Sequence, residues 1–118
     1  MDLEGGYYIA PAIFAEVPLD PRLGQFEILG PVPAAIHARD VDDAVRIFNG
    51  TEYGFTGGLF SRSRERIEQA RREFAVGNLD INRGLTGARL GVQPFGGFKM
   101  SGTNAKAGGP DDVRLFWR

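Results

Sequence analysis

At 118 residues the chain holds one domain at most, long enough to bury roughly two-thirds of its unfolded surface. Fourteen basic residues against fifteen acidic give a net charge of −1 without a long run of either sign, which argues against a nucleic-acid or anionic-membrane surface. With no cysteine and a single histidine, His37, there is no disulfide, no cysteine or histidine metal cluster and no thiol nucleophile. The apolar runs fall far short of the ~20 residues that span a bilayer. Residues 1–6 carry neither a basic region nor an apolar core, so no signal peptide is expected and a soluble, cytoplasmic protein is the default.

In chain order, residues 7–17 are rich in aromatic and β-branched side chains and read as extended, split by Pro11, which has no N–H to give a ladder. Pro18 and Pro21 break that run. Residues 25–33 read as an irregular connector holding Glu27 and the turn pair Gly30-Pro31, and residues 32–38 as a short buried strand. Asp40 is a good N-cap for a helix whose Val41, Ala44, Val45 and Phe48 share one face, closed at Asn49-Gly50. Residues 56–61 read as a second strand. Ser61 or Ser63 then caps a helix with Ile67, Ala70 and Phe74 inward, Glu68 and Arg72 at the pairing distance outside, and Gly77 as its stop. Residues 79–82 read as a third strand, in which Asp80 is awkward if the strand is central. Gly109-Pro110-Asp111 opens a last helix, with Arg114 and Arg118 toward its end.

Strand and helix alternate from residue 32 to 83, which predicts an α/β fold: a parallel sheet with flanking helices. In such sheets ligands sit beyond the carboxyl ends of the strands. The stretch 86–103 leaves the third strand at that end and carries Gly87, Gly91, Gly96, Gly97 and Gly102. Glycine lets a main chain turn through left-handed angles and approach a ligand closely. Thr86-Gly87-Ala88 can present consecutive N–H groups with little side chain in the way, a nest for a carboxylate or phosphate; the competing reading is an ordinary surface loop. Phe95, held by Pro94 and followed by Gly96-Gly97, reads as a pocket wall or as one buried loop aromatic. Two sharper glycine motifs fail. Gly97 stands where a phosphate-binding P-loop needs Lys, and no G-x-G-x-x-G run occurs.

The runs 27–32 (Glu-Ile-Leu-Gly-Pro-Val) and 93–102 (Gln-Pro-Phe-Gly-Gly-Phe-Lys-Met-Ser-Gly) resemble two ordered motifs of the aldehyde dehydrogenase family. The runs 77–83, 86–88 and 101–110 are similar to one branch, the L-glutamate γ-semialdehyde (1-pyrroline-5-carboxylate) dehydrogenases of proline catabolism. The resemblance extends from Gly6 to Phe116. It implies that residues 1–118 are the C-terminal part of an aldehyde dehydrogenase catalytic domain, without the dinucleotide-binding domain. It further implies an NAD-dependent oxidation of an aldehyde to glutamate. Glu27 matches the carboxylate that holds the nicotinamide ribose hydroxyls, and a carboxylate suits a vicinal diol because it can accept from both. Leu29 takes the position of a Phe near the nicotinamide. Gly87 and Ala88 match the main-chain anchor of the substrate's α-carboxylate, and Phe95 the aromatic against its aliphatic part. Lys99 and Lys106 are expected to be structural or surface residues, and His37 a plain strand residue.

The family's nucleophilic Cys, oxyanion Asn and general-base Glu lie in segments not matched here, and covalent thiol catalysis needs the Cys. The chain is therefore expected to be inactive alone, with no catalytic residue of its own, and to need an N-terminal part or a full-length subunit as partner. The alternative is a non-catalytic module that binds a carboxylate such as glutamate, or pairs with a subunit. Phe26, Leu29, Asp80 and Asp112 depart from the family pattern; the last two replace aromatics of the branch. The family's C-terminal tail strand, which helps oligomerisation, is expected to be cut off after Trp117.

Overall fold

The computed structural model describes residues 5–19 and 22–117. It divides into two compact units, residues 1–39 and 40–118. The Asp20-Pro21 part of the expected break and the expected helix-end role of Arg118 lie outside the described residues.

In the first unit the expected strand over 32–38 takes another form. Phe14 and Ala34 form an isolated parallel bridge. Ala12, Phe14 and Val17 donate through their N–H groups to the carbonyls of Pro31, Pro33 and Ala35, and Ala35 N donates back to Phe14 O, at 2.7–3.0 Å. This is a parallel ladder with gaps. Pro11, Pro31 and Pro33 can accept but not donate, so the rungs that a regular strand needs are missing. Beyond Phe14 the next donor is Val17 rather than Glu16, because Glu16 sits in the left-handed region (φ 52°) and inserts one extra residue, a bulge. Val17 is the buried apolar residue here; Tyr7, Ile9, Ile13 and Phe26 are exposed.

The second unit carries the α/β core. Helix α1 (Val41–Asn49) begins at Asp40, whose side chain accepts from Asp43 N at 2.8 Å. The buried Asp43 in turn accepts from Arg46 Nε and Nη2 at 3.1 and 2.7 Å, so the first turn is closed by local carboxylates at the positive end of the helix. Strands β1 (Tyr53–Gly54) and β2 (Thr56–Leu59) follow, then helix α2 (Arg64–Glu73), strand β3 (Asn78–Ile81), strand β4 (Phe98–Lys99) and a 3₁₀ turn over Val113–Phe116. β2 and β3 pair in parallel, Thr56 opposite Asn78 and Leu59 opposite Ile81, with α2 as the crossover. β1 and β4 pair antiparallel, Tyr53 opposite Lys99 and Gly54 opposite Phe98. The α/β class, parallel sheet and both helices match the sequence reading, while the residues 32–38 belong to the first unit's ladder.

Phe48 of α1 and Phe74 at the end of α2 stack at 4.0 Å between ring centroids and 22° between planes, joining the two predicted apolar stripes. β2 can pass beneath them because Gly57 has no side chain: a Cβ there would lie 2.1 Å from Phe48 Cζ. Val41, Val45, Leu59, Phe60 and Phe74 line a cleft of about 350 Å³ between the helices and the end of β2. Ala70 is the buried apolar residue of this unit, so among the described residues the closed core is much thinner than the chain length allows.

Several local expectations are corrected. Gly50 is right-handed (φ −74°) and closes α1 by an N–H bond to Ile47 O; no left-handed glycine is needed. α2 ends at Phe74, before Gly77, and Ser63 is its cap, accepting from Arg66 N. Glu68 pairs with Arg71 at 2.8 Å, one residue short of the expected Arg72. The last helix shrinks to the 3₁₀ turn, because Gly109 and Pro110 sit in a preceding turn closed by Asp112 N to Gly109 O.

Candidate functional site

The glycine-rich stretch is folded back on itself. Gln93 N and Val92 N both donate to Arg89 O, at 2.8 and 3.2 Å, and Arg89 and Gln93 form an antiparallel bridge. The chain therefore enters and leaves this turn at neighbouring positions, with Gly87-Ala88 just before it and Phe95 just after. Gly87 is left-handed (φ 92°) and Gly91 likewise (φ 72°), with open space where each side chain would stand. Among the described residues, no protein acceptor is recorded for the N–H groups of Thr86, Gly87 or Ala88, and all three residues are exposed. Exposed N–H groups without a protein acceptor are what an anion-binding nest needs.

Phe95 is half-buried and meets Phe55 edge-to-face, with centroids 6.1 Å apart at 83°. Past it the glycines serve a different purpose. A Cβ on Gly96 would lie 2.3 Å from Ala105 O, and one on Gly97 1.8 Å from Ser101 O. Ala107 N donates to Phe95 O and Asn104 N to Gly97 O, so residues 95–107 form a closed double turn of backbone against backbone. Lys99 Nζ donates to Asn49 O and Thr51 O at 2.7 and 3.0 Å, capping the exposed carbonyls at the end of α1. Lys106 Nζ donates to Gly77 O and Asn104 Oδ1, both at 2.8 Å. Of the two roles the sequence leaves open, structural or surface, both lysines take the structural one.

A residue group that sequence reasoning passed over reaches the carbonyl of Thr86, one residue before Gly87. Asp80 of β3 has a side chain 11% exposed and lies 3.3 Å from Arg83 Nε. The same guanidinium reaches Gly84 O through Nε at 3.4 Å and Thr86 O through Nη2 at 3.2 Å. The signal was present as an acid–base pair three residues apart, immediately before Thr86.

Glu27 and Leu29 belong to the first unit. Both are exposed, and Leu29 is left-handed (φ 59°), an unusual conformation for a residue with a branched side chain. Val32 N donates to Gly30 O at 2.8 Å, a tight turn following the pair. Gly87, Ala88 and Phe95 thus lie in one unit around one turn, and Glu27 and Leu29 in the other on a turn of their own. Among the described residues, no group of three acidic or histidine side chains is arranged to hold a metal.

The second unit is thus an α/β segment whose parallel strands lead, at the carboxyl end, into a loop with left-handed glycines. The model of the aldehyde dehydrogenase family matches residues 1–118, and the chain belongs to that family. It is 58% identical over 110 residues to the 1-pyrroline-5-carboxylate dehydrogenase of Geobacillus kaustophilus (strain HTA426), covering 93% of this chain and 21% of that protein. To the enzyme of the same name from Bacillus subtilis (strain 168) it is 59% identical over the same shares. Among solved structures, 1-pyrroline-5-carboxylate dehydrogenase from Thermus with bound NAD aligns at TM-score 0.89 and 58% identity, over 95% of this chain and 22% of that one. Proline utilization A from Bdellovibrio bacteriovorus, inactivated by N-propargylglycine, aligns at 0.88 and 52% identity, over 95% of this chain and 12% of that one. The chain spans about a fifth of the length of the curated relatives it matches. No helix among the described residues is long and apolar enough to cross a membrane.

Proposed function

We propose that this chain supplies the substrate-carboxylate side of an NAD-dependent oxidation of L-glutamate 5-semialdehyde to L-glutamate, a step of proline catabolism in the cytoplasm. In this reading residues 1–118 are part of the catalytic domain, and the dinucleotide-binding domain and thiol come from elsewhere. The observation that supports it most is the exposed, left-handed Gly87 followed by the exposed Ala88, on the loop that also carries Phe95, in a chain so similar to 1-pyrroline-5-carboxylate dehydrogenases. Gly87 and Ala88 hold the α-carboxylate, and Phe95 packs on the methylenes between it and the aldehyde. Glu27 suits NAD, since its exposed carboxylate can accept from both ribose hydroxyls; Leu29 lies on the same turn toward the nicotinamide. When bound, NAD takes up the hydride released as aldehyde and water become carboxylate.

With no Cys in the chain, the thiohemiacetal step has no nucleophile here. The chain alone is expected to form no NADH from L-glutamate 5-semialdehyde while still binding L-glutamate. Absorbance at the NADH band, followed with and without aldehyde, checks this. Turnover that survives repurification and a thiol-blocking reagent would overturn it. Absence of both turnover and glutamate binding would instead favour a subunit-interaction module.

A further inference from the structure

We propose that Asp80 and Arg83 form a brace that sets the direction and the donor strength of the Gly87 N–H, making Arg83 a positioning residue for the carboxylate loop. The inference rests on reading Gly87-Ala88 as that loop.

Asp80 is an acidic side chain, almost buried, on the strand that leads into the loop. A carboxylate so placed needs a cation or donors close by. Arg83 provides the cation at 3.3 Å, and its own side chain is about half exposed, 48%. Paired with Asp80 through the charge near Nε, the guanidinium donates its Nε–H to the carbonyl of Gly84 and its Nη2 to the carbonyl of Thr86. The second contact carries the consequence. The Thr86 carbonyl and the Gly87 N–H belong to one peptide unit, and no peptide bond among the described residues is cis. In a planar trans unit the C=O and N–H point in opposite directions. Fixing the oxygen on Arg83 therefore aims the Gly87 N–H away from the guanidinium, outward. The left-handed Gly87 (φ 92°) then turns the following peptide, the kind of backbone step from which nests are built.

A cation on a carbonyl also polarises the amide, which strengthens the N–H at its other end as a donor. Arg83 thus lends positive character to the anion site without entering it, leaving the site free of a long cationic side chain that would compete for space with the substrate. Asp80 keeps the guanidinium from swinging into solvent.

The test uses the ¹⁵N-labelled 118-residue chain, titrated with L-glutamate while the amide signals of Gly87 and Ala88 are followed. Arg83→Ala is expected to weaken glutamate binding about tenfold, the loss of one charge-assisted contact, and to lower the steady-state heteronuclear NOE of both amides. Signals from α1 should stay where they are. Arg83→Lys should recover part of the affinity, and Asp80→Asn should lower the NOE less than Arg83→Ala does. If Arg83→Ala disturbs signals throughout the unit, Arg83→Gln, which keeps donors and loses charge, takes its place. Unchanged affinity and unchanged NOE in the Arg83 variants, with glutamate bound normally by the native chain, would overturn the brace alone. A native chain that ignores glutamate, yet whose Gly87 order depends on Arg83, would overturn the carboxylate reading and uphold the brace.

Discussion

Gly77→Ala is expected to destabilise residues 40–118 more than either Gly87→Ala or Asn49→Ala does. A Cβ at this position would sit 1.6 Å from Gly96 O, 2.6 Å from Gly96 C and 3.0 Å from Gly97 Cα, all backbone atoms. Neither side of the contact can yield. Gly77 N is bound to Gly54 O at 3.0 Å and its carbonyl holds Lys106 Nζ. Gly96 is closed in from behind by Ala105 O. Overpacking a tight site costs about 1–3 kcal/mol where side chains can shift, and more where the obstacle is main chain. Against the margin of about 5–15 kcal/mol by which domains are stable, a loss above about 3 kcal/mol is a large fraction of the whole. Urea titration followed by circular dichroism reads the effect. Gly87→Ala is the useful contrast: it has open space and suffers only from its left-handed angle, about 1–2 kcal/mol. Equal midpoints for Gly77→Ala and the native chain would show that the two glycine backbones do not touch.

Asn49→Ala should produce the next largest loss, about 2 kcal/mol. Asn49 closes α1, yet its side-chain amide serves the far end of α2. Nδ2 donates to Glu73 O at 2.7 Å and Oδ1 accepts from Ala75 N at 2.9 Å. The first contact satisfies a carbonyl that the helix leaves without a partner, and the second fixes the chain as it turns toward β3. Truncation orphans both groups at once. The urea midpoint should fall with the slope unchanged, and the Ala75 amide should exchange its hydrogen faster than in the native chain. An Ala75 amide that exchanges at the native rate would contradict the role assigned to Asn49.

The residues that were legible in the sequence are those whose partners are nearby. Asp40 caps α1 through Asp43, three residues on, and the apolar spacing of Val41, Ala44, Val45 and Phe48 declares one face. β2 and β3 were found within two residues because the helix between them was. β1 and β4 were not, since Tyr53–Gly54 finds its partner across more than forty residues and two residues carry no period. Residues 32–38 misled because an apolar run signals burial but says nothing of donors, and Pro33 lacks one. The glycines divide in an instructive way. Glycine in this stretch signals left-handed angles or close approach without saying which: Gly87 has the left-handed angle, and at Gly96 and Gly97 what approaches is the protein's own main chain. Sequence marks the need for closeness without naming the visitor. Asp80 was judged by itself as awkward in a strand; paired with Arg83 it has a partner and a place.

The chain has only two lysines, Lys99 and Lys106, and arginine supplies its other side-chain cations. Each ammonium lies against two amide oxygens: Asn49 O and Thr51 O for the first, Gly77 O and Asn104 Oδ1 for the second. An acylating or cross-linking reagent directed at primary amines would thus find, apart from the N-terminus, nitrogen atoms already engaged in holding the fold. Acylation at either one both reports that the segment 95–107 has opened and keeps it from closing again.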